Sequence, residues 1–213
     1  MPDPRKPFII GITGSIGSGK STVGRILTDL DVPVIDTDLI VHDLLASDQA
    51  VIAAITDRFG KDVTGLETGI DRTRLGRLVF ADPEARRDLE KIVHPATILE
   101  CRRRIEARAA GGLVAVLVPL LFEAGLESEY DEIWTVFTDE ESLKRRIMER
   151  DGLSAEDADS RLAAQLSQAE KISRSRHIID NSGTKENTRK QVEALIEKLR
   201  SRPGVHRQCE IPA

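Results

Sequence analysis

Four short apolar runs stand out against a polar background: Phe8 to Thr13, Val32 to Ile35, Leu113 to Val118 and Ile133 to Phe137. A fifth, weaker run is His177 to Asp180. All are rich in Val and Ile and lack period-2 alternation, the pattern of strands in a parallel sheet covered on both faces. Helical periodicity fills the gaps. Asp82 is a suitable N-cap for a helix from Pro83 to about Ala110, with Gly111 and Gly112 as its stop. Its core-facing stripe would be Leu89, Ile92, Val93, Ala96, Leu99 and Ile105. Thr138 to Glu141 and Ser154 to Asp157 match the S/T-x-x-acid capping pattern and predict two further helix starts. Strands alternating with helices imply right-handed crossovers, so the expected fold is α/β with a doubly wound, five-stranded parallel sheet.

Two stretches break the alternation. Residues 43 to 111 hold helices only, between the second and third strands, and 144 to 176 are a charged helical stretch between the fourth and fifth. Both are expected as insertions at the ligand end of the sheet. The reading is one domain over 1–213, with core 8–42, 112–143 and 177–200 and a frayed tail at 202–213.

Charge and cysteine content narrow the classes. Lys plus Arg is 31 against 36 Asp plus Glu, a net charge of -5, the wrong balance for a protein living on a phosphate backbone. Cys101 and Cys209 stand far apart with no metal-ligand spacing, so neither a disulfide framework nor a zinc site is expected. No apolar run approaches the ~20 residues of a membrane span, and the start lacks a signal-peptide pattern. A cytoplasmic protein with small-molecule partners, no nucleic acid and no membrane is expected; oligomeric state is not legible.

The sharpest chemical signal is Gly14-Ser15-Ile16-Gly17-Ser18-Gly19-Lys20-Ser21-Thr22, a full G-x-x-x-x-G-K-[ST] between a strand and a helix. Such glycines let backbone N–H groups wrap phosphate oxygens, and the helix start adds its positive dipole. Lys20 would reach the β- and γ-phosphates and the Ser21 hydroxyl would ligate Mg²⁺, which makes ATP and Mg²⁺ the expected cofactors. The guanine-reading N-K-x-D is missing, and the D-x-x-G at Asp57 to Gly60 follows a helical pattern, so a GTPase is excluded. Leu113 to Val118 runs into Pro119 and lacks the metal-supporting acid of motor ATPases, which favours a small-molecule kinase. The second strand ends in Asp36-Thr37-Asp38 at the carboxyl edge, where ligands of such sheets bind. One of the acids would take a proton from an attacking hydroxyl, and either is equally suited to capping the next helix.

The chain resembles the dephospho-coenzyme A kinases, of the P-loop NTPase fold, from Ile10 to about Ile196. The markers are Gly14 to Thr22, and Val34 to Asp38 near the family's V-I-D-A-D. Ile70-Asp71-Arg72, Val79-Phe80, His94-Pro95 and Pro119-Leu120-Leu121-Phe122-Glu123 follow in order. Arg150-Asp151, Arg161 with Gln165, and Ile179-Asp180-Asn181 complete the set. The resemblance implies transfer of the ATP γ-phosphoryl group to the ribose 3′-hydroxyl of dephospho-coenzyme A. It makes Asp38 the base, 43–111 a helical substrate-binding insertion and 144–176 a helical lid. It implies substrate contacts at Thr13, Asp38, Arg72, His94, Leu120, Glu123, Arg161 and Gln165, and adenine packing near Asn181 and Gly183. Lys20 and Arg150 join Asp38 as catalytic residues. Two departures are visible: Ser15 replaces a commoner glycine, and His42 stands where Arg is frequent. The i, i+4 spacings Arg146/Arg150 and Arg161/Gln165 put each pair on one helix face, suited to a transferring phosphoryl group or to plain solvation. Trp134 is expected in the core. A nucleoside monophosphate kinase and a non-catalytic nucleotide sensor are the competing readings. An Arg set around an acceptor phosphate would favour the first, and lack of turnover the second.

Overall fold

The apolar runs assemble into one five-stranded parallel sheet in the order β2–β3–β1–β4–β5, in a computed structural model that describes residues 6–65, 69–108, 112–202 and 205. The strands are β1 (Phe8–Thr13), β2 (Val34–Asp36), β3 (Leu113–Leu117), β4 (Glu132–Phe137) and β5 (His177–Asp180). β1 lies centrally, with Ile10 opposite Ala115 on β3 and Glu132 on β4. Helix α1 (Lys20–Asp29) follows β1, and α9 (Lys185–Arg200) follows β5. α1, α9 and the sheet close around Ile10, Ile12, Leu27, Trp134, Ile179 and Val192, all fully buried. The second strand starts two residues later than its apolar run predicts. Pro33 has no N–H for a ladder, so Val32 is buried ahead of the strand and Pro33 contributes only its carbonyl, to Ala115 N–H.

The chain divides into two compact units, Met1–Ile35 with Ile105–Ala213, and Asp36–Arg104. The second begins and ends earlier than the 43–111 stretch read from the sequence. It opens with α2 (Thr37–Ser47), which starts as soon as β2 ends, while Ile105 in the last turn of α5 (Pro83–Arg108) belongs to the first unit. α3 (Gln49–Phe59) and α4 (Arg72–Ala81) complete it, with one antiparallel bridge, Thr64 to Ile70, among the helices. Asp82 accepts from Glu84 N–H at the start of α5, as expected, and the helix runs through Pro95. Leu99, counted in the buried stripe, is 72% exposed, whereas Val93 and Ile105 are buried. The end of the predicted α5 at 109–111, with Gly111, lies outside the described residues, as does Cys209.

Between β4 and β5 the chain forms α6 (Glu140–Asp151), α7 (Ala155–Ala163) and α8 (Gln168–Ser173). Ser154 caps α7 as predicted, but α6 is capped by Asp139 and not by Thr138, whose hydroxyl is committed elsewhere. Ser167 and Glu170 form a reciprocal capping box on α8 that the sequence reading missed. The tail is not frayed at its start. Burial pushes the Glu132 carboxyl up, but Arg202, Trp134 and His177 hold it below the usual range, and the Arg202 guanidinium reaches it at 2.5 Å. Val205 is buried in the core; 203, 204 and 206–213 lie outside the described residues. Among the described residues no single helix is long and apolar enough to cross a membrane.

Candidate active site: the phosphate loop and its braces

The loop leaves β1 at Thr13 and turns sharply at Gly14, where an added Cβ would stand 2.5 Å from the Val136 carbonyl oxygen. Gly19 has φ 93° and forms the N-terminal boundary of α1, with no side chain capping it. No side-chain cap therefore competes with an anion at this helix start, where the dipole is positive. Lys20 Nζ donates to Gly14 O at 2.7 Å and Ser15 O at 3.2 Å, folding the ammonium over the loop. Ser21 is exposed in the first turn, Ile16 and Gly17 are half-buried, and Thr22 N–H bonds back to Gly19 O. Ser18 is fully buried, and its hydroxyl has no partner among the described residues.

Four side chains from elsewhere in the fold hold the loop by its backbone: Thr138, Asn181, Arg146 and Gln165. Ser18 O accepts from Thr138 Oγ1 at 3.0 Å and Asn181 Nδ2 at 2.7 Å. Asn181 Oδ1 in turn accepts from Thr188 on α9 at 2.9 Å, so the Asn181 side chain is spent on the loop, while Gly183 is exposed just beyond it. Arg146 on α6 donates to Gly17 O, Thr138 Oγ1 and Asn181 O at 3.4, 3.2 and 3.0 Å. Arg146 is thus tied to the loop and its neighbours and is not a plain solvated charge. Gln168 bonds both the N–H and the carbonyl of Thr138. Gln165, which the resemblance gave to substrate, accepts from Ile16 N–H at 3.0 Å.

A second knot lies under the turn after β3. Pro119 O accepts from Thr13 Oγ1 and from Lys171 Nζ, both at 3.3 Å. Lys171 is fully buried and pairs with Glu123 at 2.7 Å, and the same carboxylate oxygen accepts from Leu166 N–H at 3.0 Å. Burial pushes the Glu123 carboxyl up, but the Lys171 and backbone bonds hold it below the ordinary value. The carboxylate read as a substrate contact is thus engaged by its own chain, and Leu120 sits half-buried in the same turn. Lys171, Thr138 and Gln168 were missed from sequence. Thr138 was findable, being the first residue after a strand's carboxyl end.

On α6 and α7, Asp151 gathers two predicted residues. Arg150 forks onto it at 2.8 and 2.9 Å and Arg161 reaches it at 2.7 Å. The Arg150 bonds hold the Asp151 carboxyl below its usual value, against a smaller opposing effect of burial and with the charges of both arginines assisting. Gly152 in the left-handed conformation ends α6 directly after this carboxylate.

Within the second unit, Asp36 is the N-cap of α2, its side chain accepting from Asp38 N–H at 2.9 Å. Asp38 itself is exposed in the first turn. Asp71 caps α4 by accepting from Thr73 and Arg74 N–H, which places Arg72 exposed at the helix start. His94 is exposed on α5.

A glycine-lined loop between the central strand and the first helix of a parallel sheet, with a lysine folded over it, defines a P-loop NTPase fold. A family model described as dephospho-CoA kinase matches residues 8–187. The dephospho-CoA kinase of Symbiobacterium thermophilum is 48% identical over 87% of this chain and 79% of its own length, and that of Geobacter metallireducens is 45% identical over 88% and 94%. Among solved structures, the dephospho-CoA kinase from Campylobacter jejuni aligns with TM-score 0.62 and 29% identity over 89% of this chain and 96% of that one. Shikimate kinase from Acinetobacter baumannii, 17% identical with TM-score 0.53 over 92% and 95%, shares the fold. The chain belongs to the dephospho-CoA kinase family, kinases that use an alcohol group as phosphate acceptor.

Proposed function

We propose that this protein transfers the γ-phosphoryl group of ATP to the ribose 3′-hydroxyl of dephospho-coenzyme A, giving coenzyme A and ADP. The observation that carries the reading is the complete phosphate loop, braced by Thr138, by Arg146 on α6 and by Asn181, in a chain matching the family over 8–187. Gly14 to Thr22 hold the triphosphate through backbone N–H groups, and Lys20 exchanges its loop carbonyls for the β- and γ-oxygens. Asp38 orients the acceptor hydroxyl and takes its proton. Arg150 supports the transferring group and Arg161 the substrate, both leaving Asp151 to do so. We assign acceptor contacts to Thr13 and Leu120 and, within Asp36–Arg104, to Arg72 and His94, and adenine contacts to Asn181 and Gly183. The α6–α8 segment is the lid, and Asp36–Arg104 the substrate-binding part.

The Ser21 hydroxyl is a hard oxygen at the start of α1, a donor that fits Mg²⁺, an ion that keeps several waters and takes its other ligands from phosphates. When bound, Mg²⁺ neutralises charge on the β- and γ-oxygens. A net charge of -5 argues against a nucleic-acid partner, while local cations meet the small anionic substrate; a cytoplasmic place with no membrane partner completes the reading.

The test is an ADP-coupled assay with dephospho-coenzyme A, its product checked as the ribose 3′-phosphate by phosphorus NMR. Turnover that needs this acceptor, and that falls by about 10² or more in Lys20→Ala, supports the reading. ADP release indifferent to acceptor, or a faster rate with a nucleoside monophosphate, sinks it.

A further inference from the structure

We propose that Lys171, held by Glu123, is a positioning residue for the phosphate loop. Lys171 is fully buried, a rare state for a long cationic side chain, and its only route to stability there is a partner within reach. That partner is Glu123, at 2.7 Å, on a different segment of the chain. An ion pair serving packing alone would have no reason to connect with one particular loop. This one does so by three routes. Through Pro119 O, shared at 3.3 Å with Thr13 Oγ1, it fixes the residue directly before Gly14. Through Leu166 N–H on Glu123, it fixes the neighbour of Gln165, whose side chain holds Ile16 N–H. Through α8, which carries both Lys171 and Gln168, it fixes Thr138, whose hydroxyl holds Ser18 O. The loop is thus set at its entry, its middle and its far side from one buried pair. Backbone N–H groups aimed at phosphates tolerate little error, because a misplacement of ~1 Å costs roughly 10²-fold in rate.

The inference rests on the kinase reading only for its turnover readout, and direct nucleotide binding tests it without that reading. Single neutralisation leaves the other charge buried and unpaired, so Lys171→Met alone would confuse loss of fold with loss of position. The informative variant is Glu123→Gln with Lys171→Met, which removes both charges at similar volume. It should melt close to the parent, bind a fluorescent ATP analogue about 10-fold more weakly and lose kcat by a comparable or larger factor. The KM for the acceptor, which Thr13 also serves, should move less than the affinity for the ATP analogue. Glu123→Asp gives a second, charge-preserving arm: it should stay folded yet weaken the ATP analogue, because the carboxylate is withdrawn by one methylene. Parent-like nucleotide affinity in the folded double variant or in Glu123→Asp overturns the proposal. A defect confined to acceptor KM overturns it too, since Glu123 would then be a substrate contact. Should the double variant not fold, the Glu123→Asp titration decides alone.

Discussion

The side-chain carbonyl of Gln165 accepts a hydrogen bond from the Ile16 amide at 3.0 Å, tying the stretch between α7 and α8 to the middle of the phosphate loop. The bond is neutral and half-buried, a class worth about 0.5–1.5 kcal/mol. Gln165→Ala should therefore leave the melting temperature nearly unchanged and raise the KM for ATP several-fold. Gln165→Glu should do worse, because it sets a negative charge beside the triphosphate. Nucleotide titrations at low and high salt separate the two variants: the Glu defect should shrink with salt and the Ala defect should not. Equal salt response in both would remove Gln165 from the loop's electrostatics.

Gly19 faces Asn181. A Cβ on residue 19 would run into the Asn181 amide nitrogen, and its φ of 93° is strained for any L side chain. Gly19→Ala should cost about 1–3 kcal/mol in denaturant unfolding and weaken nucleotide binding by more than the Gln165 variants do. A Gly19→Ala protein with parental affinity would show that the Asn181 brace is dispensable.

Asp36 and Asp38 have separable fates. Asp36 caps α2, so Asp36→Ala should lose about 1 kcal/mol of stability, whereas Asp36→Asn keeps a capping oxygen and should be nearly silent. Asp38→Asn should melt normally and bind both substrates, yet lose roughly 10² to 10⁴ in turnover, since an amide cannot take the hydroxyl proton. An active Asp38→Asn enzyme would mean that transfer rests on positioning and charge without a base at this segment.

Acid sensitivity has an identifiable source in Asp36–Arg104. Hydrogen bonds first from Arg103 and then from Arg104 lower the Glu100 carboxyl from 4.5 to about 2, against a weaker effect of burial. A carboxyl depressed in the folded state stabilises fully above its unfolded value near 4.5, and that stabilisation drains away as pH falls from there towards 2. Glu100→Gln should be less stable than the parent at pH 7 and should lose less between pH 5 and 3. Parallel stability curves for the two proteins across that range would dismiss Glu100 as a contributor.

Much of this was legible from residue order because the phosphate loop is a contiguous string whose chemistry requires a strand before it and a helix after it. β1, β5 and the Ser154 cap are equally local, and each falls where periodicity or capping chemistry puts it. Apart from the Ser167–Glu170 capping box and the Pro33 delay of β2, the misses are non-local. Thr138 matches a capping pattern, but Ser18 O outcompetes the helix for its hydroxyl, and Asp139 caps instead. Leu99 has the right spacing for the buried stripe, yet no described residue covers it at that point of α5. Arg202 reads as a frayed terminus until Glu132, buried at the start of β4, supplies a reason for it to stay. Lys171 is the hardest case, since a lysine in a polar helix is ordinarily solvated and its carboxylate lies on a separate strand-end turn.

Ser18 carries a consequence for the energetics of the loop. A buried hydroxyl with no partner among the described residues forfeits its hydration with no return from them, a deficit of about 1–3 kcal/mol. The phosphate loop therefore sits above the lowest free energy its own backbone allows, and Ser18→Ala should raise the unfolding midpoint in denaturant rather than lower it. The loop is frustrated in the folding sense: a sequence shaped for stability alone would have placed a methyl group where this one keeps an oxygen.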